Sequence, residues 1–178
     1  MALKATVFKA SVNLADMDRG VYLDESLTIA QHPSETDERM MLRILAWALN
    51  ANERLEFTKG LSADDEPEVW QKNYSDEIEL WIELGCPDEK RLRKASSRSK
   101  EVILYAYGDR SAPIWWDQNK SKLSRFGNLA IYFVNESIIE GLTAMTARTM
   151  QLQVSIQDGT AWVSSGDHSV EAALERWM

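Results

Sequence analysis

Apolar and polar residues alternate along both ends of the chain, which is the pattern of strands that expose one face to water. Residues 4–12 and 21–31 alternate on either side of the polar segment 16–20, and they predict a long hairpin. Residues 151–165 alternate again around Asp158 and Gly159, a pair that favours a two-residue hairpin turn. The two ends therefore predict a small antiparallel sheet.

The middle of the chain switches between helical and strand patterns. The first helix is predicted to begin near Ser34, a capping residue with Asp37 three positions on, and to reach about residue 51 with its apolar residues on one face. The predicted order of the middle is helix, three strands, helix, strand, helix, strand. The further segments are a short strand at 55–61, an acidic turn at 63–70 that ends in apolar residues, strands at 78–84, 101–108 and 128–134, and helices at 87–100, 113–126 and 136–146.

These elements predict an α/β protein. Its core is a mixed sheet flanked by helices, and a second small antiparallel sheet is built from the N- and C-terminal hairpins. The alternation of strand and helix between residues 78 and 134 favours parallel pairing there. No linker rich in proline, glycine or serine divides the 178 residues, so a single domain over 1–178 is predicted.

Charge is distributed unevenly along the chain. The formal net charge is −8, which argues against diffuse, non-specific affinity for nucleic acid. The net charge does not argue against a local basic site, because six cations fall within eleven residues. These are Lys90, Arg91, Arg93, Lys94, Arg98 and Lys100.

The same composition bears on location. Cys86 is the only cysteine, so no internal disulfide can form, which fits a reducing compartment. No apolar run has the length of a membrane helix, and residues 1–30 lack the apolar segment of a signal peptide. A cytoplasmic protein with no membrane association is therefore expected.

The predicted strand 78–84 ends in an acid at an unusual place. Glu83 shares one face of the strand with Glu79 and Trp81, whereas the even-numbered apolar residues share the other face. A carboxylate on a covered face needs a cation, a metal or water. A basic helix follows directly, so Glu83 belongs either to a surface ion cluster or to a site.

A single acid in the first helix and a group of acids around Pro67 are also unusual. Glu38 projects along the apolar stripe of the first helix, either as a solvated acid of the first turn or as a site residue. The other group surrounds Pro67 and is either a solvated loop or a divalent-metal site, since hard cations prefer carboxylate oxygens. Its members are Asp64, Asp65, Glu66 and Glu68.

The basic helix carries its cations on one face. Arg91, Lys94 and Arg98 form a cationic stripe, and residues 92 and 95 lie on the more apolar face. The stripe is either the solvated face of an amphipathic helix or a surface that faces phosphate groups. Only residues near the start of this helix could also reach Glu83.

Several long motifs resemble the YaeQ family over the full length of the chain. The YaeQ family resembles, by fold, the PD-(D/E)XK nuclease superfamily, which implies a restriction-endonuclease-like core with the order of elements predicted above. Most members of that superfamily cut DNA with Mg²⁺, so the resemblance implies magnesium and nucleic acid as cofactor and partner. The motifs are HPSETDERMMLRILAW, GLSADDEPEVW, LWIELGCPDEKRLRKAS and LQVSIQDGTAW.

The resemblance also implies site residues. Pro67 with Glu68 resembles the Pro-Asp element, and Glu83 resembles the acid of the (D/E)-x-K element, but position 85 is glycine instead of lysine. Lys94 in the next helix resembles a migrated lysine, with Lys90 as the alternative. The additional acid of the first helix would be Glu38, or Glu35 one turn earlier. Glu38, Glu68 and Glu83 would hold Mg²⁺, and Lys94 would offset charge on the phosphate.

Three functional hypotheses follow. The first is a Mg²⁺-dependent nuclease or phosphodiesterase, against which the missing lysine weighs. The second is a non-catalytic module that binds nucleic acid or protein and keeps the nuclease fold, against which the net charge weighs. The third is an interaction protein that uses exposed aromatic residues. Trp115 and Trp116, followed by Lys120, Lys122 and Arg125, would suit base stacking with phosphate contacts, or would belong to the core.

Overall fold

The computed structural model describes residues 4–58 and 65–178, and contacts divide the chain into two compact units. The first unit comprises Met1–Asn52 and Ser137–Ala173, and the second comprises Glu53–Glu136 and Leu174–Met178. In chain order the elements are β1 (Thr6–Asp16), β2 (Val21–Gln31), α1 (Asp37–Leu49), β3 (Leu55–Phe57), β4 (Val69–Lys72), β5 (Ile78–Leu84), α2 (Glu89–Arg98), β6 (Ser99–Tyr107), α3 (Ser111–Leu123), β7 (Leu129–Val134), α4 (Glu136–Thr143), β8 (Thr149–Gln157), β9 (Thr160–Ser165), β10 (His168–Ala173) and β11 (Glu175–Arg176).

The first unit contains a five-stranded sheet in the order β10-β9-β8-β1-β2. The two predicted hairpins are confirmed, because β1 pairs antiparallel with β2 and β8 pairs antiparallel with β9. The expectation of a purely antiparallel sheet is wrong, since β1 and β8 are parallel neighbours. Alternation along a strand shows which face is buried, but it does not show which strands are neighbours at their edges. The pairing between the two hairpins could therefore not be predicted from alternation.

The turn between β8 and β9 has the geometry that its sequence predicts. Asp158 and Gly159 have φ angles of 53° and 76°, the left-handed pair that a tight two-residue hairpin requires. Their backbone N–H groups both donate to the carboxylate of Asp18, at 2.8 Å each. The loop of the N-terminal hairpin therefore stabilises the turn of the C-terminal one.

The second unit contains a six-stranded sheet in the order β11-β7-β6-β5-β4-β3. Strands β5, β6 and β7 are parallel, as predicted from their alternation with helices, and β3, β4 and β5 are antiparallel. The short β11, which the sequence pattern did not predict, pairs with β7. The order α1, β3, β4, β5, α2, β6, α3, β7 confirms the predicted order of the middle of the chain.

One apolar cluster in the second unit joins β5, β6 and β7 to α2 and α3. Half-buried side chains, including Trp115, Trp116 and Trp177, pack against this cluster. Ile78 and Trp81 both belong to it, so the strict alternation predicted for β5 fails at Ile78, where the pairing with β4 shifts register between Gln71 and Lys72. Its buried members are Ile78, Trp81, Leu92, Ala95, Val102, Leu104, Leu123, Leu129 and Ile131.

The observed boundaries of several elements differ from the predicted boundaries by a few residues. Helix α1 begins at Asp37 with Thr36 as its cap, because the Thr36 hydroxyl accepts from the backbone N–H of Arg39 at 3.2 Å, so Ser34 is not the capping residue. Helix α3 ends at Leu123. Strand β3 ends at Phe57, and residues 59–61 of its predicted range lie outside the described residues. Over residues 4–58 and 65–178, no helix combines the length and apolarity that crossing a membrane requires.

Candidate functional site

Helix α2 is oriented by its first residues and by two buried side chains. The carboxylate of Asp88 caps the helix by accepting from the backbone N–H of Arg91 at 2.8 Å. Leu92 and Ala95 are fully buried in the apolar cluster. Because these two residues face the core, the predicted cationic stripe faces outward, and Lys94 and Arg98 are exposed.

The outward face of α2 borders a cavity of about 920 Å³. Of the described residues that line it, four are cationic and one is acidic, so this lining favours anions despite the negative charge of the whole chain. The lining residues are Asp88, Lys90, Arg91, Arg93, Lys94 and Ser97. We refer to this surface as the α2 cavity.

Glu83 lies at the end of β5 with only 2% of its surface exposed. Three donors converge on its Oε1 atom. The Trp81 indole N–H donates at 2.8 Å, and Nε and Nη2 of Arg91 lie at 2.9 and 2.8 Å. The buried carboxylate is therefore held by one guanidinium and one indole, as a charged group away from water requires.

Arg91 also connects α2 to the acidic segment that precedes β4. Its Nη2 donates to the carbonyl oxygen of Glu66 at 2.7 Å. Arg98 makes a similar contact about two turns later, with Nη1 donating to the carbonyl oxygen of Asp65 at 3.0 Å, and its guanidinium lies over the Trp81 ring. Two cations of α2 thus bind the backbone of this segment.

Glu68 is the second acid of the site. It is 3% exposed, and its backbone N–H donates to the carbonyl oxygen of Ile82 at 3.0 Å, which places it beside the end of β5. Burial raises the pKa of Glu83, the hydrogen bonds and charge of Arg91 and the Trp81 indole lower it, and the nearby charge of Glu68 raises it. The sequence-based expectation that Glu68 and Glu83 lie close together is consistent with this geometry.

The cation that contacts the Glu83 carboxylate within the described part of the chain is Arg91. Lys94 lines the α2 cavity with an exposed side chain, as does Lys90, and the catalytic role of Lys94 stays a prediction. The signal that could have identified Arg91 is its position three residues after Asp88, in the first helical turn that can reach the strand end.

The two candidate acids at the start of α1 differ in burial. Glu38 lies in the first turn of α1 in the first unit, and its side chain is exposed. Glu35 is buried, and its two oxygens lie 2.9 Å from Nη1 of Arg39 and 2.6 Å from Nη2 of Arg43. Metal binding by Glu38 stays a prediction, and Glu35 serves as the counter-ion of two arginines.

The acids around Pro67 also differ from one another. Asp65 is exposed, Glu66 is half-buried, and Glu68 is buried next to Glu83, whereas Asp64 lies outside the described residues. Among the described members, Glu68 is therefore the one whose side chain is buried, and its role as a metal ligand stays a prediction.

The described residues do not fit a magnesium ion as they stand. Within residues 4–58 and 65–178, no group of three or more carboxylate, imidazole or thiol side chains is gathered closely enough to hold a metal. The Glu83 carboxylate already accepts from Arg91, whose positive charge lies where a cation would bind. Magnesium binding by Glu68 and Glu83 stays a prediction.

The tryptophans of α3 are packed against the core of the second unit. Trp116 stacks on Trp177 with ring centroids 5.7 Å apart, and the Trp115 indole donates to the carbonyl oxygen of Pro87 at 2.7 Å. Two of the three cations that follow them have acidic partners, since Lys120 pairs with Asp117 and Arg125 pairs with Glu89. The surface of α3 is therefore a weaker candidate for binding phosphate than the α2 cavity.

Comparison with known proteins gives consistent matches over the length of the chain. The family model described as YaeQ protein matches residues 1–174. A protein of Escherichia coli (strain K12) called Uncharacterized protein YaeQ is 53% identical over 178 residues, covering 100% of this chain and 98% of the relative. A Salmonella typhi protein of the same name is 52% identical with the same coverage. The crystal structure of YaeQ protein from Xanthomonas axonopodis pv. citri matches with a TM-score of 0.95 and 44% identity, covering 98% of both chains. The resemblance of the sequence motifs is confirmed.

Proposed function

We propose the following function for this chain, which belongs to the YaeQ family: it binds the phosphate groups of nucleic acid in the α2 cavity. The observation that supports the proposal most strongly is the lining of that cavity by Lys90, Arg91, Arg93 and Lys94. Cations on consecutive turns of a helix suit successive phosphates of a nucleic-acid backbone.

The negative net charge is compatible with this proposal because electrostatic attraction is local in physiological salt. The Debye length is about 8 Å at 0.15 M ionic strength, so exposed acids elsewhere on the surface are largely screened from the cavity. The same screening predicts modest affinity and strong dependence on salt. Such behaviour is typical of contacts to phosphate that do not read base sequence.

Replacing the exposed cations of the cavity together tests the proposal. In K90Q/R93Q/K94Q, the affinity for an eight-residue oligothymidylate is expected to fall about tenfold or more at 50 mM salt, since three phosphate contacts are lost. Fluorescence anisotropy with labelled single-stranded DNA, single-stranded RNA and duplex DNA measures the affinity and shows which form is preferred.

A second triple variant provides the matched control. K120Q/K122Q/R125Q removes the same number of cations from the same unit, two from α3 and one from the turn that follows it, and its affinity is expected to stay within about twofold of the unaltered protein. Equal losses in both variants would show that net charge alone governs binding. A larger loss in the α3 variant would move the site to the tryptophan-bearing helix.

Phosphodiester hydrolysis is the second candidate function, and one observation favours it. Two buried carboxylates, Glu68 and Glu83, lie close together, Glu83 contacts Arg91 of the cavity lining, and burial raises the pKa of Glu83. A carboxyl group with a perturbed pKa beside a cationic cavity is typical of catalytic sites. The order α1, β3, β4, β5, α2, β6 supports the finer proposal of a restriction-endonuclease-like core, and the single cysteine supports a cytoplasmic location.

Metal titration tests this second candidate. If Glu68 and Glu83 hold a divalent ion, Mn²⁺ must compete with Arg91, so isothermal titration is expected to give millimolar affinity that Glu83→Gln and Glu68→Gln abolish. The Lys94→Ala variant, assayed for cleavage of DNA and RNA with Mg²⁺, would then lose turnover while keeping its fold. If no metal binds at 10 mM, a concentration on the order of that used in assays of metal-dependent enzymes, phosphodiester hydrolysis is contradicted as the function of this site.

A further inference from the structure

We propose that the free edge of β2 binds an extended segment of a partner protein, and that this segment carries two adjacent cations between apolar residues. The partner strand lies antiparallel to β2 and extends the five-stranded sheet of the first unit. Strand β2 belongs to the first unit and the α2 cavity to the second, so the proposal does not depend on nucleic-acid binding.

Strand β2 is the longest edge strand of the two described sheets. It has 11 residues, whereas the other edge strands β10, β3 and β11 have 6, 3 and 2. An edge strand exposes backbone groups that pair readily with another chain, and proteins blunt such edges with proline, lysine or a bulge. Residues Val21–Gln31 contain neither proline nor lysine, and their register with β1 runs without a bulge. The backbone of β2 is therefore suited to strand pairing.

The hydrogen bonds of β1 show which groups of β2 point to the free edge. The N–H of Lys9 donates to the carbonyl oxygen of Arg148 at 2.9 Å, on the β8 side of β1, so Lys9 and its partner Thr28 do not exchange hydrogen bonds. Hydrogen-bonded and non-hydrogen-bonded pairs alternate along an antiparallel ladder. The N–H and C=O groups that point away from β1 therefore belong to alternate residues of β2, namely Tyr22, Asp24, Ser26 and Thr28.

The middle of β2 is open to water and acidic. Asp24, Glu25 and Ser26 are all exposed, and because consecutive residues lie on opposite faces of a strand, neither face is covered there. Glu25 shares its face with Leu23 and Leu27, which are half-buried, and the strand contains no lysine, arginine or histidine. A complementary strand therefore places a cation opposite each acid and an apolar residue opposite each leucine.

The same charges argue against a second copy of this chain as the occupant. A two-fold pair over the whole of β2 would be centred on Ser26, and it would make the two Glu25 side chains diagonal neighbours on one face. Each copy also carries a formal net charge of −8. Because like charges repel, a cationic partner strand is favoured over self-association.

A synthetic peptide with the expected pattern provides the test. In antiparallel pairing, Thr-Val-Thr-Lys-Lys-Val-Thr places its lysines opposite Glu25 and Asp24 and its valines opposite Leu27 and Leu23. The labelled peptide is expected to bind the full-length protein at low salt, as measured by fluorescence anisotropy. Replacing both lysines of the peptide with glutamate is expected to weaken binding about tenfold or more. If the lysine peptide does not bind, the proposal is wrong.

Backbone methylation of the peptide separates strand pairing from charge attraction. A methyl group on the amide nitrogen of the second lysine, opposite Asp24, removes an N–H that donates to β2, so affinity is expected to fall about tenfold or more. The same change at the first lysine, opposite Glu25, removes an N–H that points away from β2, and affinity should change by less than about threefold. Equal affinities of the two methylated peptides would overturn strand pairing.

Charge reversal in the protein identifies the edge. D24K/E25K is expected to bind the lysine peptide about tenfold more weakly and to bind the glutamate peptide instead. D167K/E171K makes the same change of charge at exposed positions on or next to β10, and affinity for the lysine peptide should stay within about twofold.

Two results would assign the edge differently and overturn the proposal. A larger loss in D167K/E171K than in D24K/E25K would place the peptide at β10. A dimer in sedimentation that D24K/E25K dissociates would make a second copy the occupant of β2. Circular dichroism and thermal unfolding verify that each variant is folded.

Discussion

Arg91→Ala is expected to lower the free energy of unfolding by about 3 kcal/mol at pH 7.5, because it leaves the buried carboxylate of Glu83 without its counter-ion. Glu83 is 2% exposed, and Arg91 supplies two of the three donors on its Oε1 atom. The lower end of the usual range applies, since part of the Arg91 side chain is accessible to water. Urea denaturation followed by tryptophan fluorescence measures the change.

The sign of the pH dependence follows from the direction of the pKa shift. Burial raises the pKa of Glu83 above its ordinary value of 4.5, and Arg91 lowers it, so removing Arg91 raises it further. The stability associated with a raised carboxyl pKa is present below 4.5 and is lost as pH rises through the folded-state pKa. The deficit of Arg91→Ala should therefore be largest near neutral pH and shrink toward acid pH. Arg93→Ala, the exposed control, should lose less than about 0.5 kcal/mol at any pH.

Arg43→Met is expected to lower the free energy of unfolding by about 3–5 kcal/mol, the largest stability effect in the first unit. Arg43 is 3% exposed and lies 2.6 Å from the Glu35 carboxylate, and its Nη2 also donates to the carbonyl oxygen of Ala30 at 3.0 Å. The substitution removes both contacts and leaves the buried acid Glu35 short of a donor. Chemical denaturation measures the loss.

Two further variants separate the ion pair from packing. Arg39, the other partner of Glu35, is partly exposed. Arg39→Met is therefore expected to lower the free energy of unfolding by about 1 kcal/mol. The double variant Glu35→Gln with Arg43→Met should recover part of the loss, because the buried negative charge, which Arg39 alone would then offset, is removed. A double variant less stable than Arg43→Met alone would mean that Glu35 has another role.

Local patterns predicted much of the fold because they report which residues are buried. The alternation in β1 and β2 and the Asp158–Gly159 turn were sufficient to predict both hairpins. The parallel pairing of β1 with β8 was not predictable in this way, since edge choice depends on residues more than 100 positions apart. Strand β11 has too few residues to produce a pattern, and its pairing with β7 depends on tertiary contacts.

The candidate site could be predicted in part. Glu83 at the end of β5 and Glu68 beside it followed from strand periodicity and from the family motif. The catalytic role of Lys94 stays a prediction, and the pairing of Glu83 with Arg91 was not predicted, because the helical phase of α2 depends on the Asp88 cap and on the burial of Leu92. A basic stripe shows which face is outward, but the cap decides which cation reaches the strand end.

The salt dependence of oligonucleotide affinity tests phosphate binding by the α2 cavity most directly. A plot of log K against log salt for the unaltered protein should have a negative slope, and the slope for K90Q/R93Q/K94Q should be smaller in magnitude by about two, at about 0.7 per lost contact with a single strand. The slope for K120Q/K122Q/R125Q should match that of the unaltered protein. Identical slopes for the unaltered protein and K90Q/R93Q/K94Q, or no measurable binding at low salt, would contradict phosphate binding at this cavity.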